Sequence, residues 1–135
     1  MQFTTAAGLL LALSAAANAW TMAIYDTTNC AQDTTSYYSL EGDATSEASA
    51  GCISLPATIP GDVTYCGWFT NGGSTGPGAC SSGTFTRPSS FNLRSGGQCA
   101  VYKGEGCSGT VSSITANSCG FANSGNWGSM KCWNV

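Results

Sequence analysis

The chain has 135 residues, a formal charge of −3 and only 8% charged residues, which excludes a basic nucleic-acid binder and a chain kept disordered by self-repulsion. Between residues 20 and 135, Ile, Leu, Val and Phe number 15, or 13%, below the roughly 20% that usually sustains a core. All eight cysteines fall in that stretch, so cross-links are expected to supply what the apolar inventory lacks.

The first 19 residues read as a secretory signal. Gly8 to Ala17 is apolar and too short to span a bilayer, and Ala17-Asn18-Ala19 offers small residues for cleavage. The expected organisation is a signal peptide over 1–19 and a single cysteine-rich β domain over 20–135, with no membrane span. Trp20 to Tyr25 alternates, with Trp20, Met22 and Ile24 on one face and Tyr25 on the other. Asp43 to Ala50 is predicted as a short helix, with Asp43 as N-cap and Gly51 just past its end. Asp62 to Phe69 returns to period two, setting Val63, Tyr65 and Phe69 against Thr64, Cys66 and Trp68. Gln98–Tyr102, Thr110–Ile114 and Met130–Val135 are further strands, rich in β-branched or aromatic residues. Turns are expected at Asn71-Gly72-Gly73, Gly76-Pro77-Gly78, Ser95-Gly96-Gly97 and Ser124-Gly125-Asn126. The fold class is all-β, a small disulfide-stapled sandwich or barrel.

Cys30, Cys52, Cys66, Cys80, Cys99, Cys107, Cys119 and Cys132 are expected to pair completely, with connectivity left open. No C-x-x-C and no histidine is present, so no metal or other cofactor is expected. Two segments echo one another without gaps: Ala23-Ile-Tyr-Asp-Thr-Thr-Asn-Cys30 and Ala100-Val-Tyr-Lys-Gly-Glu-Gly-Cys107. Each reads as a strand ending in tyrosine, a four-residue turn and a cysteine. A duplicated β-motif with two pseudo-repeated halves is one reading, and chance recurrence in a Cys-rich β protein is the other. Tyr102 stands seven residues before Gly109, a spacing that resembles crystallin-type Greek-key motifs and their killer or antifungal relatives; Gln32 holds the matching glycine position in the first copy.

The opening Met-Gln-Phe-Thr-Thr, the Tyr-x4-Cys segments and the closing Ser-Met-Lys-Cys-Trp resemble the small secreted cysteine-rich proteins of filamentous fungi. That resemblance implies an extracellular effector or elicitor acting at a host or microbial surface, without naming a target. Catalysis is not expected. Without histidine the usual general base at neutral pH is missing, and Ser-His or Cys-His nucleophiles are not available. Arg87 and Arg94 with Glu105 make a weak imitation of a nuclease site. Charge is split, with −6 over residues 20–66 and +3 over residues 67–135.

Trp68 and Trp127 lie among turn-forming, hydrogen-bonding residues, and two readings stay open for them: core or disulfide packing, or exposed platforms for sugars or a protein hot spot, in which case they are the candidate binding residues with Asn71 and Asn126. Trp133, beside Cys132, is read as core filler. Three functions stay open on this reading: a non-catalytic effector or elicitor, a binder of chitin or another wall glycan, and an antimicrobial or killer-type toxin. The expected partner is a host or microbial surface protein or a cell-wall glycan, and the expected state is a monomer.

Overall fold

The structure is a computed structural model that describes residues 19–27, 29–30, 35–94, 96–115, 118–121 and 127–135. The expected signal segment, apart from Ala19, and the expected turn at Ser124–Asn126 lie outside the described residues. The described residues form nine strands in chain order: β1 Trp20–Tyr25, β2 Tyr37–Gly42, β3 Val63–Thr70, β4 Thr75–Ala79, β5 Ser90–Arg94, β6 Gly97–Tyr102, β7 Val111–Thr115, β8 Ser118–Phe121 and β9 Ser129–Asn134. They form a six-stranded sheet in the order β4-β3-β2-β1-β5-β8 and a three-stranded sheet in the order β7-β6-β9. One apolar cluster lies between the sheets, drawing Trp20, Met22, Ile24, Leu40, Phe91 and Leu93 from the first and Cys99, Val101, Ile114 and Met130 from the second. Both sheets are antiparallel throughout, so the all-β expectation holds.

The echo in the sequence is a repeat in space. Tyr25 faces Ser90 across the β1–β5 ladder, and Tyr102 faces Ser129 across β6–β9. The Ser90 hydroxyl donates to the Thr27 carbonyl and accepts from the Cys30 N–H at 3.0 Å. The Ser129 hydroxyl donates to the Gly104 carbonyl and accepts from the Cys107 N–H, both at 2.7 Å. Each serine thus ties the turn after its tyrosine down onto the sheet. The two cysteines that close these turns share a left-handed backbone, with φ of 53° at Cys30 and 56° at Cys107. Ser90 and Ser129 are also the two buried polar residues among those described, and their double hydrogen bonds explain why burial is tolerated. Equivalent residues meet where the halves touch. The Cys99 disulfide sulfur lies 3.6 Å from the Met22 thioether sulfur, and the Trp127 backbone N–H donates to the Pro88 carbonyl at 3.0 Å. Gly109 takes φ of 82°, the left-handed conformation glycine suits, while Gln32 lies outside the described residues.

The halves also exchange edges. β8, from the second half, pairs with β5 of the first, and Ile53, from the first, bridges to Met130 of β9. Two disulfides follow that exchange, Cys30–Cys119 and Cys52–Cys107, each joining the turn of one half to the edge segment of the same exchange. Cys99–Cys132 links β6 to β9 at the position where Met22 faces Leu93 in the larger sheet. Cys66–Cys80 closes the β3–β4 extension, which has no counterpart in the smaller sheet.

Several expectations need correction. Asp43–Ala50 is not a helix. Its backbone closes a single turn, with the Ala50 N–H reaching the Ser46 carbonyl at 3.1 Å, and paired Ser46 and Ser49 side chains compete for the local backbone groups. Gly76-Pro77-Gly78 is edge strand, where the missing proline N–H has no ladder to break. Val63 faces the core with Trp68, because the register shift at Glu41/Gly42 spends an extra residue, Thr64, on β3 and reverses its alternation.

Candidate functional site

The aromatic platforms proposed from sequence are not exposed. Trp68 is 7% exposed and sits on the inner face of β3, with its ring 4.7 Å from Tyr38 and 5.6 Å from Phe85. The Tyr38 hydroxyl donates to the Phe85 carbonyl at 2.6 Å, and burial pushes its pKa up to about 12. Trp127 is 4% exposed, with the Lys103 ammonium 4.4 Å from the centre of its ring. Asn71 is exposed in the β3–β4 turn at φ of 54°, its amide donating to Thr75 Oγ1 at 3.2 Å. Asn126 lies outside the described residues. Of the described candidates, Trp68, Trp127 and Asn71 are not gathered into one surface. Trp133 reverses the expectation in the other sense. Cys132 points inward to its disulfide, so alternation turns Trp133 outward, half-buried opposite Gln98.

Concave places among the described residues lie elsewhere. A cleft of about 530 Å³ lies beside the Cys52–Cys107 bridge, between the Ser54–Thr58 loop and the second turn, with Arg87 and Glu105 in its lining. Arg94, grouped with these two in the sequence reading, lines a different place, on the outer face of the larger sheet. The structure thus separates Arg94 from Arg87 and Glu105. No group of three potential metal ligands occurs among the described residues.

That outer face is organised by register. Asn92, Ala23, Ser39, Gly67 and Ala79 align across five strands, forming a low row of small or short side chains. On one side runs the row Tyr25, Tyr37 and Phe69, with ring centroids 5.4 and 5.2 Å apart and the last two rings nearly parallel at 11°. On the other side run Arg94, Thr21, Glu41 and Tyr65. The result is a trough across the strands, walled on one side by the half-buried rings of Tyr37 and Phe69, with Tyr25 fully covered, and on the other by mostly polar side chains. Gly67 is required by this layout, since a side chain there would collide with the Tyr65 hydroxyl that reaches over it. Within the trough a pocket of about 190 Å³ is lined by Thr21, Ala23, Tyr37, Ser39, Phe69 and Arg94. Sequence reasoning missed this surface because β2 and β5 were not recognised as strands, and without them the rows do not align.

A duplicated, cross-linked β frame of two antiparallel sheets defines the class: a disulfide-stapled all-β domain. The family whose model describes the C-terminal domain of the secreted LysM effector LysM14 matches residues 20–132, and the chain belongs to that family. Among curated proteins, the secreted LysM effector LysM14 of Penicillium expansum is 28% identical over 130 residues, covering 84% of this chain and 32% of that protein. The chain thus spans about a third of the length of the relative it matches. No solved structure matches it. With four disulfides and this family, the chain is a secreted, extracellular domain. Among the described residues no helix is long and apolar enough to cross a membrane.

Proposed function

We propose that this domain is a non-catalytic secreted effector that works by binding at a host or microbial surface. The observation that carries this reading is the family match over residues 20–132. The site chemistry agrees with it. The chain has no histidine, and Arg94 lies on a different surface from the cleft that holds Arg87 and Glu105. The test is infiltration of purified, oxidised protein into plant tissue beside growth assays on competing microbes. A host response or growth inhibition by wild type is expected to persist in Glu105→Gln and Asp62→Asn. Loss of several orders of magnitude in one of them, with the fold intact, points to catalysis and contradicts the proposal.

A further inference from the structure

We infer that the trough on the outer face of the six-stranded sheet is a binding site for a neutral, unbranched oligosaccharide. This rests on the reading of the domain as a binding effector and adds the class of ligand. The outer face of a two-sheet protein is ordinarily polar, because it meets water. Here Tyr37 and Phe69 stand side by side on it, half-buried and nearly parallel, although the core lies on the opposite side of the sheet. Their cost in exposed apolar area is explained by a ligand with apolar faces of its own, and pyranose rings have such faces. Across the floor, the short residues Ala23 and Ser39 keep the trough open, and Tyr65 brings a phenolic hydroxyl over Gly67 at its far end. The opposite wall supplies hydrogen-bonding groups that suit hydroxyls: the Arg94 guanidinium, the Thr21 hydroxyl and the Glu41 carboxylate, one position apart on neighbouring strands. One cation and one anion on the same wall leave no net charge to favour an acidic or basic chain, so the complementary ligand is uncharged.

The dimensions agree. Neighbouring strands lie about 4.8 Å apart, so the open stretch from Asn92 over Ala23 to Ser39, which ends where Tyr65 covers Gly67, runs about 10 Å. The pocket of about 190 Å³ at its centre holds the liquid volume of about six waters, room for one sugar unit, with the trough continuing beyond it. The occupant is therefore a chain lying across the strands, one unit seated against Tyr37 and its neighbours extended along the floor.

The experiment is calorimetric titration of the oxidised protein with three neutral tetrasaccharides, chitotetraose, cellotetraose and laminaritetraose, and with tetragalacturonate as the charged control. At least one neutral chain is expected to bind with sub-millimolar affinity and the control at least tenfold more weakly. Which neutral chain binds identifies the linkage and the source. Ser39→Phe fills the floor from an outward-facing position and is expected to weaken binding at least tenfold. Arg94→Ala, at an exposed residue, is expected to weaken it about threefold, with the melting temperature unchanged. Thermal melts of both variants accompany the titrations, so that loss of fold is not mistaken for loss of site. Absence of binding by all three neutral chains, equal binding of tetragalacturonate, or full affinity in a folded Ser39→Phe each overturns the inference. Protein that elicits a host response yet binds none of these sugars overturns the trough assignment while the effector reading stands. Trough-dependent binding without any such response supports the assignment and contradicts that reading.

Discussion

The half built on β1 and β5 and the half built on β6 and β9 hold their turns by one device, a tyrosine, a left-handed cysteine and a buried serine that bonds both sides of the turn. Beyond that device they diverge. The first half is widened by β3 and β4, closed by Cys66–Cys80, and carries the trough; the second stays three strands wide and spends a disulfide where the first has Met22 against Leu93. The comparison separates what holds the molecule from what it presents. The repeated parts are frame, and the unrepeated extension adds Phe69 to one wall of the candidate site and Tyr65 to the other. Fifteen aliphatic or phenylalanine residues are a thin core for two sheets, so the frame depends on its cross-links.

The largest effect is expected from the bridges that join the halves. Cys30–Cys119 and Cys52–Cys107 span 89 and 55 residues, and each should stabilise by about 4–5 kcal/mol through restriction of the unfolded chain. Removing both by alanine substitution should abolish cooperative urea unfolding. Removing Cys66–Cys80, which spans 14 residues, should cost about 3 kcal/mol and leave a single cooperative transition. Equal costs for the long and short bridges would break the division between frame and extension.

Next come the tryptophans. Trp68→Ala and Trp127→Ala should each cost about 3–5 kcal/mol, seen as a fall in melting temperature and poor secretion, because both rings fill the core. Unchanged melts would return them to the surface. Smaller still, Ser90→Ala and Ser129→Ala each remove two buried hydrogen bonds and should cost about 2–3 kcal/mol. Agreement between the two within about 0.5 kcal/mol in denaturant melts would sharpen the equivalence of the halves, and a large difference would break it.

Much of the frame was legible in sequence because it depends on short-range pattern. Trp20–Tyr25 alternates cleanly and became β1 with the same bounds, and the Tyr-x4-Cys echo marked both turns. The serines that complete the device escaped notice, since Ser90 and Ser129 lie 60 and 22 residues from the cysteines they serve. Trp68 and Trp127 were misplaced because a neighbouring glycine was taken as a sign of an exposed loop. In the fold Gly67 and Gly128 mark close approach instead: a side chain on Gly128 would meet the Gly104 carbonyl oxygen at 2.6 Å. Trp133 was available from alternation alone, once Cys132 was assigned to a bridge. The trough was not readable at all, because it exists only through registers set across five strands.

The smallest expected effect concerns the extension's own core. Tyr38 keeps its proton in the fold up to about pH 12, against an ordinary value of 10.0, since burial disfavours the phenolate. The folded state then binds more protons than the unfolded one at high pH. The stability this group contributes is fully present below pH 10 and is lost as pH rises toward 12. Melting temperatures of wild type should therefore fall more steeply over that window than those of Tyr38→Phe. Parallel curves would show that the phenol is not sheltered.

Backbone amide shift mapping of the oxidised protein during titration with the tetrasaccharide that binds tests the central claim most directly. The account predicts perturbations centred on Thr21–Ala23, Tyr37–Ser39 and Gly67–Phe69, with the smaller sheet unmoved. Shifts gathered instead around Trp133 and Lys131, or around Arg87 and Glu105, would contradict it.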